Sequence, residues 1–432
     1  MTLIPELDSV VRFEGEETLL ELVERLGANA DWRDIKGIAY RCGEAIEINA
    51  ARPLVHDLDS LPYPRRDREL DTVLGQPIAT LLASRGCART CSFCSIHMFY
   101  RSAPGKVVRT RKPQEVVREM AYLHERFGAT IFLFQDDDFP VFGRVWTEWA
   151  RSFVAEMHRT GLSKRVIWKI SCRADSVDES LFAEMRDAGL YFVYMGLESG
   201  TEEGLTTLNK RITASQNFNA VQSLKKLGLM FQFGFMLFEP STTFDSVDEN
   251  LAFLHSILDD GSVALTFCRM IPYDGTPIKD ELIRQGRLKG DLCHPGYDFL
   301  DPRLDQFYDM LTRQVDLRGW VHGYDSLSPQ LNNSWSEVAV LERLFPALHD
   351  MSEYKDSLRR LTMECNNILF DVIEDTARFV RDGEESRWNN ALLRERGERL
   401  CAQLFDERDG FIFRHQKTLA NTIGLKAERA SA

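Results

Sequence analysis

Three cysteines, Cys87, Cys91 and Cys94, lie within eight residues in the spacing C-x3-C-x2-C, with aromatic Phe93 just before the last. Three thiolates on one tight loop can hold three irons of a [4Fe–4S] cluster and leave the fourth iron open to a substrate or cofactor. His97 stands three positions after Cys94, so a Cys3His zinc site in an interaction module is the competing chemistry. Zinc sites of that kind usually sit on small independent knuckles. This loop instead follows directly on an apolar, β-rich run, Ile78–Ser84.

Other reactive groups recur at the ends of similar runs. Asp136, Asp137 and Asp138 close one, and Ser171 and Arg173 close the next. Glu198 follows a third and Glu239 a fourth, while Tyr273 and Asp274 close the last. Carboxylates at a strand end suit an ammonium group, and a guanidinium binds a carboxylate through two parallel hydrogen bonds. A carboxylate that follows an apolar run, as Glu198 does, needs a partner if it is buried.

Six such runs occupy residues 77–285: Ile78–Ser84, Thr130–Gln135, Val166–Cys172, Tyr191–Leu197, Met230–Phe238 and Val263–Ile271. Amphipathic segments alternate with them, Pro113–Phe127, Trp146–Thr160, Glu179–Ala188, Ser215–Leu227 and Phe244–Leu258, and four of the gaps end in Gly128, Gly161, Gly189 and Gly228 as helix C-caps do. Strands alternating with helices imply parallel pairing and right-handed crossovers, so the fold class is α/β, a partial six-stranded (β/α) barrel. The cysteines then stand at its C-terminal mouth, where barrel enzymes keep their active sites.

Residues 1–76 form a short α/β leader, with a helix over Leu19–Leu26, a strand over Ile35–Arg41 and an aperiodic linker over Asn49–Arg66. Residues 286–432 carry helical periodicity at Val338–Leu348, Met351–Val380 and Leu392–Leu404, which predicts an all-α C-terminal domain, with Arg318–Trp335 as an irregular connection.

Of the 432 residues, 44% are hydrophobic and 28% charged, which excludes disorder and fibrous folds. The formal charge of −13 argues against partners that are duplex nucleic acids or anionic membranes. No apolar stretch approaches the roughly 20 residues of a membrane span and the acidic N-terminus is unlike a leader peptide, so the expected compartment is the cytoplasm.

The cysteine spacing, Phe93 and the βα pattern together resemble the radical S-adenosylmethionine (SAM) enzymes. Phe132–Phe139 is similar to the acidic second-strand motif of that family, Ser171–Asp175 to its third-strand motif, Gly196-Leu-Glu-Ser-Gly200 to its fourth-strand G-[IL]-E-S-G motif, and Ile271–Pro277 to its sixth-strand segment. The resemblance implies a [4Fe–4S] cluster on Cys87, Cys91 and Cys94, SAM held by Phe93, Asp136, Asp137, Ser171, Arg173, Glu198 and Ile271, and an electron donor of flavodoxin or ferredoxin type. Glu14–Thr18, Gly37–Tyr40, Arg52-Pro53 and Asp57–Pro62 look like the tail and linker of a cobalamin-binding domain. Such a domain alone is typically about 100–150 residues. Only 86 residues precede Cys87, so its body is expected to be mostly missing.

Asp136–Asp138, Glu198, Glu239 and Asp274 would together make an acidic pocket at the mouth. With the net charge, that points to a polycationic, hydroxyl-rich substrate of aminoglycoside type. Asp138, Glu239 and Asp274 would then face the substrate, and Glu239, Glu198 and Tyr273 would handle protons. This design resembles the aminoglycoside radical SAM diol dehydratases. They imply a 5′-deoxyadenosyl radical that abstracts hydrogen beside a hydroxyl, loss of the neighbouring hydroxyl, and an NAD(P)H-dependent reductase acting next. The alternatives are cobalamin-type methyl transfer and sugar epimerisation, the latter with Cys268 as hydrogen donor.

Overall fold

The computed structural model describes residues 1–419, apart from 67, 68, 322, 324 and 349. The leader is a small antiparallel sheet, β1 (Ser9–Val11), β2 (Ile38–Cys42) and β3 (Ala45–Ile48), packed with α1 (Glu16–Gly27). Its own core is Leu22, Ile35 and Ile38. Leu19, Leu20, Val23 and Leu26 share the helical spacing with Leu22 but stay exposed.

The central sheet runs β4 (Gln76–Leu81), then β5 (Ile131–Phe134), β6 (Ile167–Arg173), β7 (Leu190–Glu198) and β8 (Met230–Phe235), all parallel and in spatial order, with a short antiparallel strand at Thr72–Val73 on the edge. The crossover helices are α2 (Ser95–Arg101), α3 (Pro113–Phe127), α4 (Arg144–Arg159), α5 (Glu179–Asp187), α6 (Ala214–Leu227) and α7 (Phe244–Leu258). A left-handed glycine ends α3 at Gly128 and α6 at Gly228. The sheet curls into a half-barrel whose convex face is buried under the helices.

Alternation along the strands divides the two faces. Ala79, Phe132, Trp168, Val193 and Phe231 are buried on the helix side. Thr80, Leu133, Lys169, Phe192 and Met230 lie in register on the concave side, followed one step higher by Ser171, Tyr194 and Gln232.

The sixth strand differs from expectation. Val263–Ile271 is extended but touches the sheet only near its end, through Cys268 N–H to Phe235 O (2.9 Å), Met270 N–H to Phe238 O (2.8 Å) and a Phe238–Arg269 bridge. Its first residues are paired instead with side-chain amides of the C-terminal helices. Asn332 Oδ1 accepts from Ala264 N–H (2.9 Å) and Asn366 Oδ1 from Leu265 N–H (2.8 Å), while both Nδ2 groups donate to carbonyls of the same segment. The edge is satisfied without a strand partner.

Those amides belong to α8 (Leu327–Leu344) and α9 (Ser352–Asp382); α10 (Asn390–Arg414) packs on both. The expected irregular connection is therefore helical over Arg318–Val321 and again from Leu327, with His322 and Tyr324 outside the described residues. One continuous apolar core runs from Ala79 to Leu419, so the boundary at 285 divides the chain without dividing the core.

Candidate functional site at the mouth of the half-barrel

The cysteine loop leaves β4 through a tight turn. Gly86 has φ +84°, and a Cβ there would lie 2.1 Å from the Val107 carbonyl oxygen, so the position admits only glycine. Gly86 N–H donates to Asp137 (2.9 Å). Farther along, Ser92 N–H donates to Leu208 O (3.0 Å), Ser92 Oγ to Thr207 O (2.8 Å) and Asn209 Nδ2 to Thr90 O (2.5 Å). The loop is thus held at both ends by neighbouring loops of the barrel mouth.

Cys91 is buried, Cys87 and Cys94 are half-buried, and all three are free thiols. Burial and the Asp138 charge push the Cys87 thiol up to about 12, and burial raises Cys91 against the pull of Lys210 and Arg173. Thiols in that state give up their protons when a metal binds them. Cys87 Sγ lies 3.8 Å from Asp138 Oδ2, whose other oxygen is buried without a hydrogen-bond partner, and Cys91 Sγ lies 3.6 Å from Arg173 Nη1. Among the described residues no three His, Cys, Asp or Glu side chains converge as the ligands of a single ion. Three neighbouring free thiols on one loop are a donor set suited to three irons of one cluster.

The acidic triplet holds this loop. Asp136 is buried and accepts from Ala83 N–H (3.1 Å) and Ser84 Oγ (2.5 Å); burial pushes its carboxyl up to about 7. Asp137 holds Gly86, and Asp138 faces Cys87. Arg173 is fixed by Asp175 (2.9 Å) and by the Lys210 carbonyl (2.5 Å). Glu198, at φ +66°, takes Lys210 as its ion-pair partner (2.9 Å). A Cβ on Gly196 would meet the Glu198 carboxylate at 2.4 Å and the Lys210 ammonium at 2.8 Å, which explains the glycine two residues before Glu198. Ser199 and Gly200 are braced by Asn250.

The remaining expected site residues scatter. Phe93 packs against the core. Glu239 is buried and accepts from Ser241 N–H (2.8 Å) and Oγ (2.5 Å), so it closes a turn and faces Glu203 and Arg287. Asp274 is exposed and paired with Lys279; Ile271 and Tyr273 are about half exposed at the rim. Most carboxylates of the expected acidic pocket are thus engaged by neighbouring groups, Asp136 by Ala83 and Ser84, Asp137 by Gly86, Glu198 by Lys210, Glu239 by Ser241 and Asp274 by Lys279, while Asp138 keeps one oxygen without a hydrogen-bond partner. Ser171 accepts from Lys169 Nζ (2.7 Å) on the concave wall.

Sequence reasoning missed Lys210 and the wall residues Lys169 and Tyr194. A Cβ on Gly234 would lie 3.1 Å from the Tyr194 hydroxyl and 3.5 Å from Glu198 Oε2, which puts phenol and carboxylate side by side. Burial and Glu198 raise the nearby Cys268 thiol to about 11. Between leader and β4 opens a cavity of about 1240 Å3, lined by Leu61–Arg66 with concave residues Thr80, Leu82 and Gln135. The leader is pinned beside it by Glu14, which takes Arg109 (2.7 Å) and Arg85 (3.2 Å).

Residues 81–254 match the Radical SAM superfamily model. The chain carries a radical SAM domain. The expected cofactors, a [4Fe–4S] cluster and SAM, are those of this family and its structural neighbours. The donor set on the loop fits the cluster, and Cys87, Cys91 and Cys94 would hold it.

An uncharacterised methyltransferase of Pyrococcus horikoshii is 29% identical over 66% of this chain and 60% of its own. The anaerobic magnesium-protoporphyrin IX monomethyl ester cyclase of Cereibacter sphaeroides is 28% identical over 74% of this chain and 51% of its own. The chain thus spans half to three fifths of the length of these relatives. In fold, the radical SAM domain and its flanks are similar to the cobalamin-dependent radical SAM enzyme OxsB, with TM-score 0.60 and 17% identity over 96% of this chain and 67% of that one. Among the described residues no helix is long and apolar enough to cross a membrane.

Proposed function

We propose that this radical SAM protein transfers or rearranges carbon on a small hydroxylated molecule, with methyl transfer of the cobalamin type as its leading reaction. The loop of three thiols set above a polar concave wall carries this reading. The methyltransferase and cyclase names of the relatives support it over dehydration. When bound, the cluster and SAM supply radical hydrogen abstraction at an unactivated carbon.

The chain's own residues then have separable tasks. Asp136 and Asp137 fix the turn that presents the cysteines. Arg173 stands beside Cys91 with a guanidinium suited to the SAM carboxylate, and the Glu198–Lys210 pair offers an acceptor and a donor to its ribose and amino groups. The concave wall receives the substrate, and the helical C-terminal region shields it from water. An electron donor of flavodoxin or ferredoxin type completes the reading.

Dehydration of a vicinal diol is the second reading. Tyr194, Glu198 and Cys268 favour it, because they gather on the concave side and loss of hydroxide needs a protein acid. Glu239, Asp274 and Tyr273 drop behind them as proton carriers. An aminoglycoside as substrate has only the overall charge of −13 in its favour, since Glu239 is already engaged by Ser241 and Glu198 by Lys210.

Anaerobic reconstitution with iron and sulfide tests both. Methyl transfer predicts S-adenosylhomocysteine, a product heavier by one methylene and a requirement for added cobalamin. Dehydration predicts 5′-deoxyadenosine and a product lighter by one water, whatever the cobalamin. A colourless protein that binds one zinc and leaves SAM intact would sink the whole reading.

A further inference from the structure

We propose that Lys169 marks a subsite for an anionic oxygen group of the substrate, a phosphate or a carboxylate, on the concave wall of the half-barrel. This rests on that wall being the substrate surface.

The other well-enclosed cations at the mouth are matched to carboxylates: Arg173 to Asp175, Lys210 to Glu198, Arg109 to Glu14 and Arg111 to Glu119. Lys169 is different. Its ammonium donates to Ser171 Oγ (2.7 Å) and stands 5.7 Å from the Tyr194 ring, with no carboxylate within ion-pair distance among the described residues. Asp136 acts on it only from farther off and is committed to Ala83 and Ser84.

Burying an ammonium without a counter-charge is unfavourable, and a lysine of the convex core would not be tolerated there. On the wall the lysine is half-buried instead of fully enclosed. Lys169 lies in register with Leu133 and Thr80, and Thr80 lines the cavity between leader and barrel. Two strand spacings, about 10 Å, separate the cavity wall from the lysine. Around it stand hydroxyls of Ser171 and Tyr194 on adjacent registered positions. One point charge flanked by hydroxyl donors is the chemistry that receives a phosphate or carboxylate. It reverses the expectation of a polycationic substrate.

The test uses the full chain, reconstituted with iron and sulfide and loaded with SAM, and reads equilibrium binding instead of turnover. Ribose 5-phosphate and ribose are the probes in calorimetric titrations. The phosphate ester is expected to bind at least about tenfold more tightly than the neutral sugar, and Lys169→Met to shrink that ratio to about twofold or less, with Lys169→Arg retaining most of it. Iron and sulfide content equal to wild type certifies the variant; if Lys169→Met falls short, Lys169→Gln replaces it with the same expectation. A wild-type chain without preference for the ester overturns the proposal, and so does a preference that survives both neutral variants. Loss of SAM affinity in Lys169→Met with the ester preference intact would assign the lysine to the SAM carboxylate and also overturn it. A chain that binds the probes in these ratios but leaves SAM uncleaved would refute the proposed reaction and leave the subsite standing.

Discussion

At the mouth of the half-barrel the polar groups hold one another. Asp136 is spent on Ala83 and Ser84, Asp137 on Gly86, Arg173 on Asp175 and the Lys210 carbonyl, and Glu198 on Lys210. One or two side-chain positions back along the same strands the concave wall is different. Lys169 has one hydroxyl partner, and Tyr194 is 39% exposed. Rigid support suits a loop whose thiols must keep fixed positions, because a loosely held ligand set loses affinity for its metal. Polar groups with spare capacity suit a surface that takes up and releases a small molecule. Two neighbouring regions of one sheet therefore carry opposite designs, and substitutions in them are expected to fail in opposite ways.

The largest effect is expected at the turn that begins the mouth. Gly86→Ala would set a methyl group against the Val107 carbonyl and force alanine to φ +84°. Relief must move backbone and weaken the Gly86–Asp137 bond that seats the loop. A loss of about 3 kcal/mol or more is expected, with iron content after reconstitution falling at the same time. Urea unfolding and iron analysis check this. Wild-type stability with full iron content would show that the mouth is not the rigid region.

Asp136 gives a smaller, pH-dependent effect. Burial raises its carboxyl from 3.8 to about 7, so between those values the folded chain keeps a proton that the unfolded chain has released. The associated stability is complete below about pH 4, declines as pH rises towards 7 and stays level above. One proton limits the slope to about 1.4 kcal/mol per pH unit. Asp136→Asn should remove this component. The stability difference between wild type and variant, followed by urea unfolding of the apo chain from pH 5 to pH 8, should fall with pH until about 7. A difference independent of pH would mean that Asp136 stays ionised and that the mouth is less dry than described.

The contrast between mouth and wall also explains what could be read from sequence. Five strands and their helices were legible because apolar runs alternate with amphipathic segments and glycines mark the ends; α3 and α7 begin and end where the periodicity put them. The sixth strand was not, since its hydrogen bonds go to Asn332 and Asn366, far along the chain and carrying no local signature. At the mouth the residue types were readable but not their directions. Nothing in a run of three aspartates says which one turns to Ser84, which to Gly86 and which to Cys87. Nor does the sequence say that Glu239 turns to Ser241, two residues on. The wall left a signal that went unused. Lys169 interrupts an otherwise apolar run, and in a period-two strand it must share a face with Ser171 and oppose Trp168.

The smallest structural effect is expected from Tyr194→Phe. The phenol lies on the open wall, and its ring remains in the variant, so stability should change by no more than about 0.5 kcal/mol and iron content should match wild type. What the hydroxyl offers is one hydrogen bond to the substrate, worth about 0.5–1.5 kcal/mol. If that bond forms equally in the ground and transition states, KM rises by about threefold to tenfold while kcat holds. A fall in kcat of about a hundredfold would instead make the phenol a proton donor and favour dehydration over methyl transfer. Lost iron or a lowered unfolding midpoint would place Tyr194 with the mouth, and the division between a fixed rim and an adaptable wall would have to be redrawn.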